Sequence, residues 1–134
     1  MAGASVPDVI EGLRKGEIRA LARAITWIEN EEPRGLEILD AIYPDIGRAY
    51  RIGISGPPGA GKSTLVDALT EQLLDGGATV GIIAVDPTSP FTGGALLGDR
   101  IRMQRLGTRS GAFIRSMATR GGLGGLSRSA SSAA

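Results

Sequence analysis

Apolar residues recur at helical spacing through the first part of the chain. Between Val9 and Ile28, the residues Ile10, Leu13, Leu21, Ala24, Ile25 and Ile28 fall on one side of a 3.6-residue repeat. One amphipathic helix is predicted there, weakened at its start by Gly12 and Gly16. The acidic stretch Glu29, Glu31 and Glu32, followed by Pro33, interrupts the pattern. It resumes with Leu36, Leu39, Ile42, Tyr43 and Ile46 up to about Gly47. Residues 1–48 therefore read as a helical arm, whose simplest role is packing against the domain that follows; a dedicated partner or dimer surface is the alternative.

At Tyr50 the period changes. Tyr50 to Ser55 reads as a short strand that runs into the glycine-rich turn Gly56-Pro57-Pro58-Gly59. A helix is predicted from near Lys62, burying Leu65, Val66, Leu69 and Leu73 and stopping at the capping pair Gly76-Gly77. Thr79 to Val85 is a continuous apolar run, as a parallel strand covered on both faces requires. Strand, helix and strand form a βαβ unit with a right-handed crossover. Beyond Asp86 the order predicted is a loop with Pro87, Pro90, Gly93 and Gly94, a helix around Leu97 to Leu106, and a strand at Ala112 to Met117. Residues 127–134 are small and polar with no apolar stripe, which predicts an unstructured or weakly helical tail. The fold class is α/β: the parallel sheet of a P-loop NTPase with helices on both faces, preceded by the arm, with residues 49–126 as the N-terminal part of that domain and the sheet incomplete.

Composition narrows the chemistry. Hydrophobic residues make up 42% of the 134 and charged residues 22%, and no apolar run approaches the roughly 20 residues of a bilayer span. The first residues lack a secretory signal, and cysteine is absent, so a cytoplasmic protein without disulfides is expected. A formal charge of +1 gives no global reason to expect nucleic acid or a membrane surface as partner. With no His and no Cys, the usual zinc ligands and a Ser-His or Cys-His nucleophile are excluded within these residues.

One motif carries chemistry. Gly56, Pro57, Pro58, Gly59, Ala60, Gly61, Lys62 and Ser63 match G-x-x-x-x-G-K-S/T at every constrained position, between a predicted strand and a predicted helix. The glycines let successive N–H groups turn inward, and the helix start adds partial positive charge, which makes a cradle for phosphate. Lys62 would reach the β- and γ-phosphates, Ser63 would ligate Mg²⁺ through its hydroxyl, and Thr64 is placed to bond the α-phosphate. Asp86, at the carboxyl end of a parallel strand, is where a carboxylate can approach Mg²⁺, although Asp86-Pro87 also suits a simple turn. Asp99 and the arginines Arg100, Arg102 and Arg105 are equally open, because charges so spaced also solvate a helix face.

Together with that loop, Val85-Asp86-Pro87-Thr88-Ser89-Pro90, Gly93-Gly94-Ala95-Leu96-Leu97-Gly98-Asp99-Arg100-Ile101-Arg102-Met103 and Thr119-Arg120-Gly121-Gly122-Leu123-Gly124-Gly125-Leu126-Ser127-Arg128 closely resemble the ArgK/MeaB-type GTPases of the G3E group. The resemblance covers about Leu36 to Arg128. It implies a GTP-hydrolysing homodimer that binds GTP or GDP with Mg²⁺ and serves as chaperone to an adenosylcobalamin-dependent acyl-CoA mutase, typically methylmalonyl-CoA mutase. It further implies that Lys62, Asp86 and Asp99 serve the reaction, that Ser63, Asp86 and Asp99 lie near Mg²⁺, and that Pro87 to Gly98 is a nucleotide-sensing switch. An older association of the family, a kinase serving lysine/arginine/ornithine transport, fits less well, since no kinase acceptor site is visible. Family members continue through a Glu-Thr-Val-Gly-type switch and an Asn-Lys-x-Asp base-recognition motif, and neither occurs in these 134 residues. The resemblance thus implies a C-terminally truncated member, with hydrolysis impaired or replaced by nucleotide binding without turnover.

Overall fold

A computed structural model describes residues 3–57, 59–86, 105–118 and 132–134. The arm is three helices, α1 (Val6–Arg14), α2 (Ile18–Glu29) and α3 (Pro33–Ile42), closed by a 3₁₀ turn at Tyr43–Asp45. Helix α4 (Lys62–Asp75) and the strands β1 (Val80–Asp86) and β2 (Ala112–Ala118) follow.

The single helix expected over Val9 to Ile28 is two. Ser5 opens α1 with a capping box: its Oγ accepts from Asp8 N at 3.3 Å, and Asp8 Oδ2 accepts from Ser5 N at 3.0 Å. The helix stops because Gly16 takes φ +73°, and the N–H groups of Gly16 and Glu17 donate to Leu13 O and Gly12 O. Helix α2 ends in the same pattern, with Glu31 N donating to Ile28 O and Glu32 N to Trp27 O, but here the left-handed position, φ +55°, is filled by Glu31. Helix α3 begins at Pro33, earlier than predicted, because proline is preorganised for a first helical turn. It ends before Gly47 because Pro44 has no N–H to continue it.

Gly12, a weak point in the predicted helix, and Gly35 are where the arm helices touch. A Cβ on Gly12 would lie 2.6 Å from Ala20 Cβ, and one on Gly35 would lie 3.0 Å from the Ile28 backbone. Their absence lets α1 meet α2, and α2 meet α3, closely enough to bury Val9, Ala20, Ala24, Trp27 and Ile38 in one core. Arg34 stacks 4.3 Å from the Trp27 ring centroid and covers it from outside.

Strands β1 and β2 pair in parallel, Val80 opposite Ala112 and Asp86 opposite Ala118, as an open two-stranded sheet among the described residues. Both agree with the predicted strands to within a residue. Ile83, Val85, Phe113 and Met117 turn one face to Leu21 and Ile25 of α2, so the arm itself supplies a covering layer. On the other face Ile114 lies against Gly107, in the helical turn that precedes β2. The architecture is that of an α/β P-loop fragment.

Two predictions are corrected. Tyr50 to Ser55 is extended chain but not a strand: none of the described residues pairs with it, and Tyr50 is 91% and Ile52 54% exposed. Extended backbone becomes a strand only when a neighbour takes up its N–H and C=O groups, so the βαβ unit expected through α4 lacks its first strand. In α4 the buried positions are Thr70 and Leu74, whereas Leu65 is 57% exposed. Of the helix expected at Leu97 to Leu106, only 105 and 106 fall within the described residues, and these are helical together with 107.

Candidate functional site

The glycine-rich loop leads directly into α4. Gly59 has φ +78° and Gly61, the N-cap, φ +87°, conformations that L side chains rarely adopt. A Cβ at either position would meet nothing within 4 Å, so the loop backbone is open to an approaching group. No side chain caps α4, which leaves the N–H groups of its first turn directed at the loop. Lys62, the first residue of α4, bends back and donates from Nζ to the carbonyls of Gly56 and, at 3.0 Å, Pro57. Ala60 N donates to Pro57 O at 3.3 Å and tightens the turn. An ammonium, a helix start and open backbone converge here, and their common complement is an oxyanion such as phosphate.

Ser63 and Thr64 occupy the next two positions of α4, Ser63 half-buried and Thr64 exposed. Asp86 closes β1, its backbone opposite Ala118 at the carboxyl end of the sheet. Pro58 and Asp99 lie outside the described residues, as does the segment from Pro87 to Gly98 expected to be a switch. The structure therefore brings Gly56, Pro57, Gly59, Ala60, Gly61, Lys62, Ser63 and Thr64 together, while the approach of Asp86 and Asp99 to them rests on sequence. Among the described residues no cluster of three or more acidic side chains could hold a metal alone. The nominated donors, one hydroxyl and carboxylates, suit Mg²⁺ that keeps water and shares phosphate oxygens. A cavity of about 210 Å³ lies instead in the arm, lined among others by Asp8, Glu17, Arg19 and Arg23, none of which the sequence nominated.

Sequence reasoning missed a polar contact between arm and sheet. Arg115, in the middle of β2, donates from Nη2 to Thr26 Oγ1 at 2.9 Å and to Glu29 Oε2 at 3.1 Å. The available signal was a charged residue inside a mostly apolar strand, which demands an acceptor somewhere in the chain.

Comparison with known proteins gives a consistent result. The family described as methylmalonyl-CoA mutase-associated GTPase MeaB matches residues 21–134. A Pyrococcus abyssi protein provisionally named a GTPase is 59% identical over 128 residues, 96% of this chain and 40% of that protein. GTPase ArgK of Escherichia coli K12 is 45% identical over 131 residues, 95% of this chain and 40% of the relative. The mitochondrial methylmalonic aciduria type A homolog of Caenorhabditis elegans is 39% identical over 139 aligned residues, covering 92% of this chain and 35% of its own length. The chain thus spans about 40% of the length of the curated relatives it matches. No described helix is long and apolar enough to cross a membrane.

Proposed function

This chain belongs to the MeaB family of methylmalonyl-CoA mutase-associated GTPases, and from that premise we propose that its loop at Gly56 to Thr64 binds the phosphates of a guanine nucleotide with Mg²⁺. The observation that carries this reading is the convergence of Lys62 Nζ, the left-handed Gly61 and the uncapped start of α4 on one open turn. Lys62 would exchange its carbonyl acceptors for β- and γ-phosphate oxygens. Ser63 would place its hydroxyl on Mg²⁺, Thr64 would bond the α-phosphate, and Asp86 and Asp99 would help to hold Mg²⁺. The bound metal would neutralise charge between the β- and γ-phosphates, the chemistry that GTP hydrolysis needs.

In the setting of a whole family member, this is about 40% of a GTP-hydrolysing chaperone for an adenosylcobalamin-dependent mutase of the methylmalonyl-CoA type, acting as a homodimer in the cytoplasm. The names of ArgK and of the methylmalonic aciduria homolog support that direction. For these 134 residues we favour nucleotide binding with little turnover and little base selection, because they include neither a Glu-Thr-Val-Gly-type switch to position water nor an Asn-Lys-x-Asp motif to select guanine.

Titrating the purified chain with GTP, GDP and ATP in Mg²⁺ tests the reading. We expect GTP and ATP to bind within a few-fold of each other, and Lys62→Ala to weaken both by at least about tenfold, the equivalent of one lost charge-assisted hydrogen bond. Binding indifferent to Lys62 would overturn the site. Strong preference for GTP would overturn the claim that base selection lies elsewhere.

A further inference from the structure

Helix α2 has two buried sides. Ala20, Ala24 and Trp27 belong to the arm core, to which none of the described sheet residues contributes. Leu21 and Ile25 belong to a second core with Met117 and its neighbours on the sheet. Along α2, Ile25 packs with Met117 of β2, and Thr26 and Glu29 meet Arg115 of the same strand. Arg115, Glu29 and Thr26 make a polar contact across this seam. The Glu29 side chain is only 16% exposed and that of Arg115 28%, and Arg115 Nε is buried without a hydrogen-bond partner. A half-buried arginine whose acceptors come from one turn of a facing helix specifies position, because sliding the helix would strand both charges. Thr26 is tied in turn to α2, donating to Ala22 O at 2.9 Å.

We propose that Arg115, Glu29 and Thr26 form a polar latch that holds α2 at one register on the sheet, and that opening it frees the sheet-facing side of α2 while the three-helix core stays folded. The contacts of the core favour such separation. They are internal to the arm: Arg14 pairs with Asp45 at 3.1 Å, and Arg34 lies over Trp27. The chain's single tryptophan sits in that core and reports on it apart from the sheet.

The test uses the full chain. Glu29→Lys sets a like charge against Arg115, and Arg115→Glu combined with Glu29→Lys restores the pair in reverse. The latch predicts that Glu29→Lys speeds amide exchange in β1 and β2 at least about tenfold, leaves exchange in α1 and α3 and the Trp27 emission maximum unchanged, and that the reversed pair recovers most of the protection. Thr26→Val removes one acceptor without adding charge and is expected to give the same pattern at about threefold. Unchanged exchange in the strands, failure of the reversed pair to recover it, or a Trp27 shift accompanying strand exchange in both Glu29→Lys and Thr26→Val would each overturn the proposal. The last result would mean that arm and sheet open as one unit.

Discussion

At the residue scale, two side chains at helix ends give sharp expectations. Asp8 accepts hydrogen bonds first from the Ser5 side chain and then from the Ser5 backbone, and these hold its carboxyl below the ordinary value of 3.8. A depressed carboxyl stabilises the fold above the unfolded value and loses that contribution as pH falls through the folded one. The Asp8 carboxyl resonance is therefore expected to titrate with a midpoint below 3.8, and Ser5→Ala to move that midpoint upward; a midpoint at or above 3.8 would remove the capping box from the account. Glu31 presents the opposite case, an L residue at φ +55° where α1 and α4 place Gly16 and Gly77. Glu31→Gly relieves that strain and is expected to raise unfolding stability by about 1 kcal/mol in a urea titration. A destabilised variant would show that the Glu31 side chain contributes more than its backbone costs.

Elements meet through what their side chains leave out. The ideal Cβ of an alanine at position 35 would press on the Ile28 backbone at 3.0 Å, where nothing flexible can give way. Gly35→Ala should force α3 away from α2, cost roughly 1 to 3 kcal/mol, and shift the emission of Trp27 as its packing loosens. Gly53→Ala, whose Cβ would meet nothing within 4 Å, is the matched control and should leave both quantities alone. Periodicity located the arm but joined α1 to α2, because apolar spacing runs on through a turn that only Gly16 marks. The same spacing could not say that Leu21 and Ala24, three positions apart, serve different cores. That division exists only once a sheet lies on one side of α2 and two helices on the other.

For the whole molecule, the large apolar side chains left outside both cores matter. Tyr50 and Ile52 are exposed on an extended segment whose backbone has no ladder partner among the described residues, a combination that invites association between chains. Replacing both with lysine should lower light scattering on concentration while leaving the Trp27 unfolding midpoint within about 0.5 kcal/mol of the parent; undiminished scattering would place the sticky surface elsewhere. The sequence by itself determined the glycine-rich turn, its order before α4, both observed strands and the family, because each depends on residues adjacent in the chain or on motifs that tolerate little variation. Tertiary structure alone decided that Tyr50 to Ser55 stands unpaired among the described residues, that α4 buries Thr70 and Leu74 in place of Leu65, and that α2 covers the sheet. It also joined Arg115 to Glu29, 86 positions apart. The physical reason is that a strand's pairing, a helix's buried face and a charge's partner are settled by whatever lies across the contact, and local pattern records only that a contact is needed.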